Sequence, residues 1–228
     1  MKAEEALARD EKPRSTGIPQ ELAMQTCGRH LGVDLARFCQ EPAAQALRNK
    51  IAADKSAAPR PPSGIIHDAD FGLADFCYAL CRAMRPNLVL ETGIGYGVTS
   101  AFILQALALN DRGELWSIDL PSLGAEDQAG IFVPPELRGR WRRFRGRTRR
   151  MLPRVLKKAD AIDLFLHDSL HTARNMNFEY AAAWPKLRSG GILLSDDVHR
   201  NSAFQDFVAS RSEFHTVAWP SVGVAIKP

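Results

Sequence analysis

Nothing in this 228-residue sequence approaches the run of about 18 to 20 apolar residues that a bilayer-spanning helix needs, so no membrane partner is expected. An apolar targeting segment is missing too. The chain begins MKAEEALARDEKPR, so a secretory signal is not expected and the protein is read as cytoplasmic. Cysteine is sparse: Cys27, Cys39, Cys77 and Cys81 form no CxxC pair, which argues against a disulfide scaffold and against structural zinc. None of the four stands at a recognisable spacing from a base, so nucleophilic thiol catalysis finds no support. Cys77 and Cys81 lie four apart, as two buried residues on one helix face would. Internal repeats are absent as well.

Acid is missing where base is densest. Residues 138–158 hold nine arginines, two lysines and no Asp or Glu, a local charge of +11. The whole chain carries +4 with a pI near 9.0, so removing that segment leaves −7. The protein is therefore mildly acidic with one basic segment, and nucleic acid is not the expected partner. Trp141 and Phe144 among the arginines read first as inward anchors of a solvated edge strand, charged against sheet pairing. An anionic substrate or partner surface is the second reading, and stacking on nucleic acid the third.

Residues 1–19 are polar and aperiodic, an arm. From about 20 to 54 the apolar residues are spaced for two short helices, and SAAPRPPSG at 56–64 reads as a linker. Residues 1–64 are thus expected to form an extension and 65–228 the main domain. Past the linker, helix and strand alternate. Helices are expected at 71–84, 98–109, 149–158, 172–187 and 201–211, and strands at 88–90, 114–119, 162–166 and 192–194, the last entered through Gly190-Gly191. Two strands, 214–219 and 222–227, close the pattern. Repeated βα units predict an α/β fold, a doubly wound and mostly parallel sheet. The final pair, joined only by Pro220-Ser221, is too close for a crossover helix and must be antiparallel.

In open α/β sheets, ligands sit beyond the carboxyl ends of the strands. The acids following the apolar runs are Glu91, Asp119, Asp168 and the pair Asp196 and Asp197, so four strands would line one sheet edge with carboxylates. Glu91 opens ETGIGYG, where Gly93, Gly95 and Gly97 permit a tight turn and let backbone amides approach a ligand ahead of a helix. A GxGxxG dinucleotide fingerprint would need glycine at 98, and Val98 is there. Asp119 follows Gly97 by 22 residues, near the spacing of about 20 expected for an acid that accepts ribose hydroxyls.

Asp168 ends IDLFLHD, and Asp196 and Asp197 end GGILLSDD. Three carboxylates converging in a cleft repel one another unless a hard cation neutralises them, and oxygen ligands suit Mg²⁺. The plainer reading turns Asp197 outward as a helix cap near Asn201. His167 lies within its strand, opposite in direction to Asp168, and reads as a packed core residue. His171 in DSLH is either a general base, a residue that orients a metal ligand, or an exposed residue at a helix start. His199 flanks the same region.

The ExGxGxG loop, the acid at 119, IDLFLHD, GGILLSDD and the closing strand pair resemble class I S-adenosylmethionine-dependent methyltransferases. Within that class they resemble the metal-dependent O-methyltransferases of catechol and macrocin type. GIFVPPELRGRW and HDSLHTARNMNFEYAAAW resemble a related group that also includes cephalosporin-hydroxylase-like proteins. The likeness covers residues from about 70 to 228. It implies a Rossmann-like fold and S-adenosylmethionine held by Glu91, Gly93, Gly95, Gly97 and Asp119, with Thr148 and Asp168 also against the cofactor. It implies Mg²⁺ on Asp168, Asp196 and Asp197. The adenine contact after the third strand falls on Gly146-Arg147-Thr148, where Arg147 replaces the acid of many relatives; Thr148 otherwise caps the next helix.

The implied reaction is methylation of a hydroxyl on a small-molecule substrate (catechol-like, sugar or natural product), with His171 as base beside Asp168. Residues 20–54 fall where such enzymes carry a substrate-covering lid, and a homo-oligomer stays open. The rival readings are a metal-independent N- or C-methyltransferase, a nicotinamide-dependent oxidoreductase and a non-catalytic cofactor-binding module.

Overall fold

Strands of a parallel sheet are buried on both faces and read as unbroken apolar runs. LVLET, Leu88–Thr92 (β1), and IDLFLH, Ile162–His167 (β4), follow that pattern apart from Glu91, Thr92, Asp163 and His167, and every residue of both is buried. The computed structural model of the chain describes residues 19–57, 71–121, 128–210, 215–218 and 221–228, the stretch 215–218 by its backbone. The polar arm up to residue 18 and the proline-rich stretch 58–70 lie outside the described residues.

Around β1 and β4 stand Glu114–Asp119 (β2), Trp141–Arg145 (β3), Leu187–Ser195 (β5), His215–Ala218 (β6) and Gly223–Ile226 (β7). They form one seven-stranded sheet in the order β3-β2-β1-β4-β5-β7-β6. The first five strands run parallel to one another. β7 runs antiparallel to both β5 and β6 and sits between them. This is the doubly wound sheet with a closing hairpin that the sequence predicts.

The helices are Gln20–Leu31 (α1), Ala36–Cys39 (α2), Pro42–Ala57 (α3), Phe71–Met84 (α4), Val98–Leu109 (α5), Thr148–Leu156 (α6), Ala173–Ala183 (α7) and Ala203–Ala209 (α8). Alternation along the strands divides the interior into two cores. Val89, Leu164, Leu166, Ile192 and Leu194 face α1, α3, α4 and α5. Leu90, Phe165, Leu193 and Ala225 face α6, α7 and α8. Cys77 and Cys81 are wholly buried on α4, and burial pushes both thiols well above the usual range, so neither supplies a thiolate.

Residues 20–57, where the resemblance implies a lid, pack into the first core. Ala23, Cys27, Leu35 and Ile51 are buried in it. Arg82 of α4 grips Glu41 through Nε (2.9 Å) and Nη2 (3.0 Å), the Tyr78 hydroxyl donates to the same carboxylate, and Arg48 pairs with Asp75. The two expected helices are three: Gly32 ends α1 in the left-handed conformation, and Asp34 Oδ1 accepts the Ala36 amide to start a new turn. The helix expected to reach 187 stops at Ala183, because Pro185 brings no N–H and turns the chain into β5. Gly190 and Gly191 lie inside β5 as an irregularity, where the register with β4 jumps from Ile162 opposite Leu187 to Leu164 opposite Ile192.

β3 is a sheet edge. Arg142, Arg143 and Arg145 are exposed along it, while Trp141 packs into the first core and Phe144 into the second. Trp141 Nε1 donates to Ser117 Oγ at 2.8 Å, which fixes the edge to β2. Within the arginine segment, residues 141–145 are thus an edge strand with exposed arginines and inward aromatic anchors.

Candidate functional site

The glycine loop joins β1 to α5. Gly93, Gly95 and Gly97 all have positive φ (88°, 52° and 84°), a conformation open to glycine at little cost. Gly93 also meets a close neighbour: a Cβ there would lie 1.8 Å from the Asp168 carbonyl oxygen. The Gly93 amide donates to Ile118 O (2.9 Å), and the Ile94 amide points at Asp119 Oδ1 (3.4 Å). The loop, Asp119 and the Asp168 backbone therefore meet at one sheet edge. Beside them the Tyr96 and Thr99 hydroxyls are buried with no hydrogen-bond partner among the described residues. Polar walls of this kind fit a polar ligand such as the cofactor the resemblance implies.

The sequence did not single out Gly130–Val133 for a place in this site. The Gly130 amide donates to Gly95 O and the Phe132 amide to Tyr96 O, both at 3.0 Å, so this segment flanks the loop.

Glu91 is placed within β1, not after it, and is buried beneath the loop. Its Oε2 accepts from Ser117 Oγ (2.6 Å) and Ser100 Oγ (2.7 Å), tying β2 and α5 together. Burial raises its carboxyl to about 7, against the pull of the two serines, and the Asp119 charge adds to the rise. A carboxyl whose pKa is higher folded than unfolded stabilises the fold below its unfolded pKa, and that contribution is lost as pH rises through about 7. Glu91→Gln does not titrate. The stability of the wild type minus that of Glu91→Gln, from urea unfolding, is therefore expected to fall by on the order of 3 kcal/mol between pH 4.5 and 8.

At the end of β4 and β5 the structure gathers Asp168, His171 and Asp196. One ligand atom from each lies within 4.8 Å of the others. Parallel pairing does this: His167 sits opposite Ser195, and the Asp196 amide donates to His167 O at 2.8 Å, which brings the next residues of both strands side by side. Two carboxylates and an imidazole, all half-buried, are a donor set that fits a divalent cation.

Asp197 stands outside that group. Its left-handed backbone (φ 54°) turns the side chain toward Arg200 Nε (2.7 Å) and His171 Nδ1 (3.4 Å). The residue expected as a third ligand thus contacts His171, a member of that group, and at the N-terminal end of the short 3-10 turn Val198–Arg200 its side chain makes no capping hydrogen bond. Thr148 likewise caps nothing: it is the first residue of α6, and its hydroxyl points to Asn175 Oδ1 at 3.4 Å. His199 lies near Asp197, at 3.9 Å.

His167 is wholly buried as expected, but in polar company that the sequence reading missed. Its Nδ1 meets Glu179 Oε2 at 2.6 Å, and its ring stands edge-on to those of His171 and Tyr180. The signal was an acid at 179 on the inward face of an amphipathic helix, in line with Met176 and Ala183.

A family model described as a methyltransferase domain matches residues 90–198. No curated protein matches the sequence. Among solved structures, an O-methyltransferase from Bacillus cereus in complex with SAH is 14% identical, with 92% of this chain and 100% of that chain covered and a TM-score of 0.64. An O-methyltransferase from Streptomyces achromogenes involved in tomaymycin synthesis, in complex with SAM, is 16% identical over 92% and 99%, with a TM-score of 0.61. An SAH-bound methyltransferase from Podospora anserina is 12% identical over 94% and 99%, with a TM-score of 0.60. At these identities the likeness is one of fold.

Proposed function

We propose that the chain, whose residues 90–198 match a methyltransferase-domain model and whose fold is that of solved O-methyltransferases, methylates a hydroxyl oxygen of a small molecule with the aid of a divalent cation. The observation that carries the reading is the meeting of Asp168, His171 and Asp196 at the sheet edge that also holds the glycine loop. When bound, the cofactor supplies an electrophilic sulfonium methyl and the cation lowers the pKa of the acceptor hydroxyl.

The chain's own residues do the rest. Backbone amides of the glycine loop and the Asp119 carboxylate would hold the cofactor, with Glu91 supporting the loop from below. Asp168 and Asp196 would hold the cation, and with it the acceptor oxygen in line with the methyl group. His171, its Nδ1 held by Asp197, presents Nε2 3.7 Å from Asp168 Oδ1 and would take the hydroxyl proton.

Methyl transfer from labelled S-adenosylmethionine, screened over catechols, sugars and polyketide-like hydroxyls with and without EDTA, tests the reading. Turnover that EDTA leaves intact would remove the cation while keeping the methyltransferase, and stabilisation by NAD alone would sink both. With an acceptor in hand, His171→Ala is expected to lower kcat about a hundredfold and to leave Mn²⁺ affinity within about threefold. Loss of Mn²⁺ binding in that variant would instead make His171 a ligand.

A further inference from the structure

We propose that Glu179 is the positioning residue of this site, the group that sets where Asp168 and His171 stand. The inference rests on the reading that those two side chains act on the acceptor or its cation. Glu179 lies on the inward face of α7 and is wholly buried. Its Oε2 accepts from Thr92 Oγ1 and His167 Nδ1, both at 2.6 Å, and its Oε1 from Ser169 Oγ and Asn175 Nδ2, both at 2.8 Å.

Those four donors are not scattered. His167 and Ser169 flank Asp168 on either side. Thr92 precedes Gly93, which the Asp168 carbonyl approaches too closely to admit a side chain. Asn175 also reaches the carbonyl of Leu170, the residue before His171, at 3.1 Å. One carboxylate thus fixes the ends of β1 and β4 and the loop between β4 and α7.

The chemistry of the hub is specific. All four partners donate, so only an acceptor-only group satisfies them together, and an ionised carboxylate is the side chain of that kind. Burying such a charge is costly, and a hydrocarbon would serve the core better. Here burial is outweighed by His167 and by the hydrogen bonds from His167 and Thr92, which hold the carboxyl down at about 2. A charge retained against that cost, with His167 and Ser169 on either side of Asp168 and Thr92 next to the glycine it abuts, assigns it to the geometry of the site.

Glu179→Gln keeps the shape but sets an NH₂ against two donors. In the full chain it is expected to speed amide hydrogen exchange of residues 168–171 at least tenfold and to weaken Mn²⁺ binding at least tenfold. SAH affinity should stay within about twofold, and exchange in β2 should not change. Unchanged exchange at 168–171 would overturn the proposal, as would equal losses of SAH binding, Mn²⁺ binding and β2 protection, which mark a purely structural residue. Should Glu179→Gln not fold, Ser169→Ala removes one donor at the surface of the network and is expected to give the same pattern at three- to fivefold; no change there overturns the proposal equally. Wild-type protein that binds no Mn²⁺ fails the cation reading, while the exchange measurement still decides Glu179.

Discussion

Asp196→Asn is expected to lower kcat/KM for methyl transfer about a thousandfold, a loss of roughly 4 kcal/mol of transition-state stabilisation, with SAH affinity unchanged within about twofold. Asp196 leaves β5 beside Asp168, held there by its amide on His167 O, and belongs to the cluster that could take a cation. Asparagine keeps the size and one oxygen but removes the charge that a hard cation needs. The companion variant sharpens the test. Asp197→Asn touches a carboxylate already engaged by Arg200 at the flank of the cluster, so its loss should be tenfold or less, acting through the orientation of His171. Equal losses in the two variants, measured by kcat/KM and Mn²⁺ titration, would restore Asp197 as a ligand and count against the cluster seen in the structure.

Gly93→Ala is expected to destabilise the protein by about 4 kcal/mol or more and to abolish SAH binding. The added methyl would fall 1.8 Å from the Asp168 carbonyl oxygen, well inside contact distance, and φ at 88° is strained for any L side chain. Neither partner yields cheaply, because both are backbone and both are hydrogen-bonded: Gly93 to Ile118, and the Asp168 amide to Thr92 O. The damage therefore reaches the cofactor loop and the acidic cluster at once. Gly139→Ala is the control, with nothing within 4 Å of the added methyl, and should stay within about 0.5 kcal/mol. A Gly93→Ala protein with native melting temperature and native SAH affinity would show that the close approach is not a constraint in solution.

Much of this was legible because the relevant signals are local. The apolar runs at 88–90 and 162–166, the glycine triplet and the acids after each strand follow from chain periodicity and turn chemistry, so β1, β4, α4 and α5 emerge with boundaries close to those expected. What was not legible is tertiary. Nothing in SDD says which of the two acids turns inward; that depends on the left-handed backbone at 197 and on Arg200 three residues on. His167 could be read as buried from the pleat, but its partner Glu179 lies twelve residues away on a helix, and only packing brings them together. The lid expected at 20–54 was drawn from resemblance, and its attachment was not legible: Arg82, Tyr78 and Asp75 of α4 tie this segment to the first core through Glu41 and Arg48.

The place of β7 between β5 and β6 bears on the order in which the site comes together. β6 is made before β7 but pairs with β7 alone, so it has no partner in the sheet until its successor exists. Closing a hairpin across a few residues is fast and local, whereas β1 and β4 must find each other across more than seventy. The β6–β7 hairpin is thus expected to form as a unit and then dock on β5. That docking sets Gly223 opposite Ser195 and Ser221 O against the Val198 amide, on either side of Asp196. In pulse-labelled refolding, protection at 223–226 should therefore appear no later than protection of β1 and β4, and Asp196 takes its place only once the hairpin has docked on β5.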